Sequence, residues 1–213
     1  MIIYLVFFAA IFAINLLPVF APPTWAALPF FVFNLGLSNM PVVAATAAFA
    51  ASVSALLLAL VTVKFVRPRL SAGSRGNLEE LANFLRGRFW LAPGIFFLWA
   101  LSPLSAGLLW IAYGLLGLGP RAALLSFFAG RFLGYWGWSY AVSQAAWQSA
   151  GDLFSSAGFI SVSFIVSQVI ALMFFGLFVK LDWRALLQER RLQFVGRQTL
   201  AGLMKQQEEK VLH

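Results

Sequence analysis

The sequence predicts an all-α integral membrane protein, built as an inverted repeat with two re-entrant helical hairpins and about four spanning helices. Three observations predict it. Hydrophobic residues make up 62% of the 213 positions and charged residues 10%, against roughly 45–50% and about 25% in a soluble domain. The apolar residues recur along most of residues 1–181 and give a mean hydropathy of +0.87, which leaves no room there for a separate soluble body. Two apolar stretches also carry Pro and Gly where a simple spanning helix has no use for them.

A bilayer core of about 30 Å takes about 20 apolar residues per helix. Residues 1–20, 41–66, 120–142 and 157–181 supply that length and are expected to span. The first of them lacks a basic leading region and a small-residue cleavage site, so it reads as a retained helix rather than a signal peptide. Residues 21–40 carry Pro22, Pro23, Pro29 and Gly36. Residues 89–119 carry Pro93, Gly94, Pro103, Gly107, Gly114, Gly117 and Gly119. Each stretch is either a kinked spanning helix or a re-entrant hairpin, and charge position separates the two.

Residues 64–88 hold Lys64, Arg67, Arg69, Arg75, Arg86 and Arg88, and the tail from residue 180 is equally basic. Both belong on the cytoplasmic side by the positive-inside rule. An even number of crossings must lie between them, and 120–142 and 157–181 already provide two. Residues 89–119 therefore enter and leave on one side. The loop 143–156 has no Lys or Arg and contains Asp152, which fits the outer side. Worked backward, 41–66 runs inward, 21–40 is a hairpin from outside, and the N-terminus is expected inside. The expected layout is a membrane domain over 1–181, with repeat one at about 15–66, repeat two at about 89–142 and a final helix at 157–181. A cytoplasmic amphipathic loop (67–88) and a basic cytoplasmic tail (182–213) complete it.

An offset of 81 places Pro22, Thr24, Ala26 and Leu28 on Pro103, Ser105, Gly107 and Leu109, and Leu35, Gly36 and Leu37 on Leu116, Gly117 and Leu118. With one hairpin entering from each side, the halves would be related by a two-fold axis in the membrane plane, and their tips would approach near the midplane.

The chemistry available is sparse. Fifteen basic against seven acidic residues give +8, read here as topology rather than as nucleic-acid binding. There is no Cys, and the single His is His213, so thiolate or His-ligated metal sites and Ser–His hydrolysis have nothing to be built from. No enzymatic activity and no cofactor are expected. The membrane body contains Arg121, Arg131 and Asp152 as its charges. Arg131 lies ten residues beyond Arg121 on one helix, about 15 Å deeper. A mid-bilayer Arg costs roughly 2.5–3.5 kcal/mol and needs a partner or a wet cavity. Two readings stay open: it staples hairpin carbonyls, or its planar fork receives an anion such as phosphate. Ser102, Ser105, Thr24 and Asn34, with Asn39, are the polar groups on or beside the hairpins, expected mainly to satisfy broken backbone. Trp136, Trp138, Tyr140 and Trp147 read as an interfacial aromatic belt. In the loop, Asn77 followed by Leu78, Leu81, Ala82, Leu85 and Phe89, with Glu80 three residues on, reads as a capped amphipathic helix lying on anionic headgroups.

Ser102-Pro103-Leu104, the Gly114–Gly119 turn, and Gly130-Arg131 with Gly134-Tyr135 together form a pattern. With the first hairpin it resembles the DedA superfamily, also called VTT or SNARE-associated membrane proteins, over about residues 15–145. The resemblance implies paired re-entrant hairpins in an inverted repeat, movement of phospholipids or a polyprenyl-phosphate carrier, and Arg131 in contact with phosphate. Two departures stand out. Ala21–Met40 has no acidic residue, and Trp99, Ala100, Leu101 and Ser102 stand where many members carry an Arg before the hairpin Pro. An uncoupled, scramblase-like passage fits that better than a proton-driven flippase.

The expected function is a lipid transporter or scramblase for an anionic headgroup. The alternatives are a small-solute or drug exporter, and a non-transporting assembly factor. Membrane lipids are the expected partners, a homo-oligomer is compatible with the sequence, and the compact chain points to a bacterial inner membrane.

Overall fold

The computed structural model describes residues 2–18, 24–102, 104–146 and 157–188, with Leu192 and Phe194. Pro22, Pro23, Pro103, Trp147, Asp152 and the tail beyond residue 194 lie outside the described residues. Among the described residues the structure is all-α, with a single isolated antiparallel bridge between Leu181 and Phe194.

Two three-helix units follow the same order. The first is α1 (Ile2–Leu16), α2 (Thr24–Asn34) and α3 (Met40–Val61). After α4 (Ala72–Arg86), the second is α5 (Leu91–Leu101), α6 (Gly107–Leu116) and α7 (Arg121–Ala146). Then come α8 (Ala157–Lys180) and α9 (Trp183–Gln188). In each unit the second helix ends on a left-handed glycine, Gly36 at φ 62° and Gly117 at φ 68°. Without a Cβ these positions reverse the chain at little cost. They stand at the same place in the repeat, 81 residues apart. The long helix then restarts four residues later in both units, at Met40 and Arg121. In the first unit Asn39 caps the restart, its side chain accepting from the Val42 N–H at 3.3 Å, with Pro41 in the first turn.

The first apolar segment differs from its expected form. Residues 1–20 do not form one spanning helix, and residues 21–40 are not a hairpin by themselves. Instead α1 stops at Leu16 and α2 folds back on it. Asn15 meets Thr24 across the break, and the Phe7 and Phe31 rings pack edge to face at 5.9 Å. Both arms belong to one hairpin over residues 2–34. Pro18, which follows the end of α1, cannot continue a helix ladder. In the second unit Phe96 packs on Trp110 and Tyr113, so α5 and α6 fold back in the same way.

Direction follows from the contacts. Phe8 packs on Phe49, and the Ser54 hydroxyl lies 2.9 Å from the Phe12 carbonyl, so α1 and α3 run the same way. Gly130 abuts Phe97 and Ala100 while Gly134 abuts Ala100 and Leu101, so α5 and α7 do too. Gly114 abuts Ala59 and Thr62, and Trp110 lies beside Ala51 and Ala55, so α6 runs with α3. Because α6 turns back into α7, α3 and α7 are antiparallel. Exchanging the two units carries α1–α3 onto α5–α7, and α3–α6 onto α7–α2, all of which pack together.

The core holds large side chains such as Trp110, Tyr135, Phe7 and Phe127, while α3 packs through small ones. The buried face of α3 is Ala44, Ala47, Ala48, Ala51, Ala55 and Ala59, while Phe49, Leu57 and Leu60 are exposed. Leu98, Leu125, Ile165 and Met173 are exposed on other helices. Small residues on α3 let helix backbones approach, and many large apolar side chains face outward. Through a wide turn at Thr62–Val66 and a tight one at Arg67–Arg69, α3 continues as one helical run. That run, Met40–Arg69, is 30 residues with a mean hydropathy of 2.2 over its best window, and among the described residues it is the one helix long and apolar enough to cross a membrane.

Among the described residues, Arg67, Glu79 and Arg86 gather at one end. Arg67 donates to Glu79 at 2.9 Å and to the Leu115 carbonyl at 3.1 Å, tying α3, α4 and α6 together, and Arg86 reaches Glu79 at 2.8 Å. The capping role expected of Asn77 is not what the structure shows. Ser71 caps α4 instead, accepting from the Ser74 N–H at 3.2 Å. Asn77 sits inside the helix. Its amide donates to the Leu181 carbonyl at 2.9 Å and accepts from the Trp183 N–H at 2.7 Å. The amphipathic helix was readable from its apolar spacing, but Asn77 serves to pin α9 to it.

The hydrogen bond from Arg86 lowers the Glu79 carboxyl below its ordinary value of 4.5, against the opposing effect of burial and with further help from the charges of Arg86 and Arg67. A depressed carboxylate stabilises the fold above its unfolded pKa and loses that contribution as pH falls through the folded value. The thermal midpoint of wild type should therefore exceed that of Glu79→Gln at pH 7, and the gap should close as the pH is lowered below about 4.5. The carboxylate is 39% exposed, so the gap should also shrink with added salt.

Candidate functional site

The candidate site is the region where the two hairpin breaks meet. A break frees backbone carbonyls and amides that an apolar surrounding cannot satisfy. The side chains near each break do so instead.

In the second hairpin, α5 ends at Leu101 and α6 begins at Gly107. Arg131, 4% exposed on α7, donates to the Ser102 carbonyl at 3.2 Å and the Leu104 carbonyl at 2.8 Å. The Trp99 indole N–H donates to the Ser105 carbonyl at 3.2 Å. The Ser102 hydroxyl donates to the Trp99 carbonyl at 2.7 Å and accepts from the Leu104 N–H at 3.3 Å. The guanidinium also sits 5.3 Å from the Phe127 ring centroid and 5.5 Å from that of Tyr135. Its positive charge lies at the C-terminal end of α5, where the helix dipole favours a cation. Gly130, immediately before it, has no room for a side chain: an added Cβ would lie 2.6 Å from the Phe97 carbonyl oxygen. That close approach of α5 and α7 brings Arg131 within reach of the break.

In the first hairpin an amide and a hydroxyl join the two arms. Asn15 donates to the Ile11 carbonyl at 2.8 Å and to the Thr24 hydroxyl at 3.0 Å. Thr24 is 8% exposed at the start of α2. Its side chain thus links the second arm to the first.

The two breaks touch. An added Cβ at Gly107 would lie 2.7 Å from Pro18 Cα and 3.2 Å from its carbonyl oxygen. Beside this contact is a cavity of about 10 Å³ lined by Asn15, Ala51, Ala55, Gly107, Trp110 and Phe127, room for about one water.

The residues picked from sequence divide. Arg131, Ser102, Ser105 and Thr24 are brought to the breaks. Gly107 is the contact point, while Gly36 and Gly117 form the turns away from it. Asn34 is not part of the site; it is exposed at the end of α2 and donates to the Phe30 carbonyl at 2.7 Å. Pro22, Pro23 and Pro103 lie outside the described residues. Sequence reasoning missed Asn15, Trp99, Trp110 and Pro18. Asn15 had a usable signal, being an amide just before a proline in a run of residues, 1–63, without a charged side chain. Trp99 and Trp110 had none, since an indole in so aromatic a chain is unremarkable until its N–H is seen to point at a carbonyl or a cavity.

No protein-family model, curated protein or solved structure matches the chain.

Proposed function

We propose that this protein is an integral multi-pass membrane lipid transporter of scramblase type, in which an anionic headgroup passes between two re-entrant hairpins while the acyl chains stay in lipid. In this reading the two units are an inverted repeat, of the architecture that the DedA resemblance implies. The observation that carries it is the meeting of two interrupted hairpins at Pro18 and Gly107, inside a helical body whose outer surface is apolar.

The supporting physics is a matter of length and polarity. The arms α5 and α6 have 11 and 10 residues, about 16 Å each, or half a bilayer core. Helices α3, α7 and α8 have 22, 26 and 24 residues, a crossing length, and the run containing α3 is also apolar enough by itself. Arg67, Glu79 and the Leu115 carbonyl share one end with Arg86 and Lys180, which is the cytoplasmic face under the positive-inside rule. With α1 running the same way as α3, the start of α1 falls on the outer side, opposite to the sequence expectation. Irregular backbone at such depth, closed by Arg131, Trp99, Asn15 and Thr24, is the form that lines polar paths in transporters. With a cavity fit for one water, the Pro18–Gly107 contact is the closed position, and passage requires the tips to separate. Acidic residues are absent from residues 1–78, so no carboxylate on the first hairpin couples the motion to protons. The lipid gradient alone sets its direction.

The test is reconstitution in liposomes with fluorescently labelled phospholipid in both leaflets, followed by an impermeant reductant. Loss of label beyond half the signal, fast and dependent on protein, is the expected result. Protection of the inner leaflet by well-folded protein would overturn the reading in favour of a solute exporter or an assembly factor.

A further inference from the structure

Beside the hairpin tips, Arg131 Nε, Tyr135 Oη and Ser139 Oγ on α7 and Trp110 Nε1 on α6 are buried without a hydrogen-bond partner. The four residues are 4%, 2%, 5% and 0% exposed. Buried polar atoms are nearly always paired, and those that are not call for a ligand, a water or a functional reason.

Their placement is regular. Residues 131, 135 and 139 are four apart, so they share one face of α7 over about 12 Å. One end of the row is at the second break, where Arg131 holds the Ser102 and Leu104 carbonyls. The other end is beside Trp138, whose indole donates to the Trp25 carbonyl at 2.8 Å at the start of the first hairpin's second arm. The row therefore leads from the tips away from the basic end of the molecule. Its counterpart on α3, at the offset of 81, is Ala50, Ser54 and Leu58, where the one hydroxyl already reaches the Ala50 and Phe12 carbonyls. Only one half carries the row.

The chemistry selects a ligand class. The Arg and Trp N–H groups donate only, and the Tyr and Ser hydroxyls can donate. Acidic residues are absent from residues 81–151 as well as 1–78, so a cation would meet no negative group there. A phosphate offers acceptor oxygens that suit each of these donors in turn along the row. We propose that Arg131, Tyr135 and Ser139 form a phosphate-binding track entered from the outer side, with the Trp110 indole at its inner end. This deepens the transport reading and rests on it for the membrane orientation.

The test uses the purified full chain in detergent, with dioctanoyl phosphatidate, dioctanoylglycerol and inorganic phosphate as probes and the thermal midpoint as readout. Tyr135→Phe with Ser139→Ala removes two hydroxyls without adding volume. Phosphatidate should raise the wild-type midpoint and dioctanoylglycerol should not. The double variant should bind phosphatidate at least tenfold more weakly while melting no lower without ligand. If inorganic phosphate reproduces the shift in wild type alone, the track stands and its ligand is the free anion. Equal affinity in the double variant, or an equal shift by dioctanoylglycerol, overturns the track. Since the chain has no Cys, Ser139→Cys in sealed cells gives a clean probe of side. Labelling by an impermeant maleimide from outside, slowed by phosphatidate, is expected, and absence of outside labelling overturns the stated entrance. Because binding is read without liposomes, a track that binds in a protein that moves no lipid would sink transport alone.

Discussion

Arg131→Ala should abolish lipid movement and lower the stability of the purified protein by roughly 3 kcal/mol, the scale for two buried carbonyls losing their donor. From sequence alone, Arg131 could be an anion site removable with little harm to the fold. The structure makes it a constituent of the fold, since its guanidinium closes the Ser102 and Leu104 carbonyls. Arg131→Lys separates charge from geometry. An ammonium is a point donor on a flexible stem and cannot reproduce the fork. Lysine should therefore recover part of the stability and less of the transport. Thermal unfolding in detergent and the liposome assay, run on the same preparations, check both. A stable Arg131→Ala protein would contradict the staple, and unchanged lipid movement would remove Arg131 from the path.

Gly107→Ala should act in the opposite direction on rate. Its Cβ would lie 2.7 Å from Pro18 Cα, well inside the ordinary carbon contact of about 3.5–4.0 Å. Backbone stands on both sides, so no side chain can swing away, and the closed tips must move apart. Overpacking of this kind costs about 1–3 kcal/mol. If the strain falls on the closed arrangement alone, the open population rises roughly 5- to 150-fold. The variant should thus melt earlier and pass lipid faster than wild type. Gly94→Ala is the control, because nothing lies within 4 Å of its added Cβ and alanine is the better helix former by about 1 kcal/mol. Its lipid movement should match wild type. A slower Gly107→Ala protein would mean that the Pro18 contact is not the closed gate.

The site was partly legible before the structure. Ser102, Ser105, Thr24 and Arg131 could be picked out because polar groups are costly in an apolar chain and each must have a use. Gly36 and Gly117 could be paired because a chain reversal after an apolar helix needs a residue tolerant of positive φ, and both turns have the same length. Asn34 was chosen on the same grounds and proved to be an exposed side chain bonded to its own helix, since cost alone does not say whether a polar group faces a break or the surface.

Sequence by itself determined the apolar, helical character of the chain, the glycine reversals at Gly36 and Gly117, and the segments that carry the charge. These are local matters of transfer free energy and backbone preference, and each residue contributes whatever its neighbours do. The tertiary structure decided whether residues 2–16 cross or fold back, which carbonyls Arg131 serves, that Asn77 holds α9, and that Tyr135 and Ser139 stand in line with Arg131. Hydropathy reports the cost of removing a segment from water, which is the same for a crossing helix and a hairpin arm. Only the contacts between Asn15 and Thr24, and between Phe7 and Phe31, distinguish the two, because they exist solely when α2 lies back against α1.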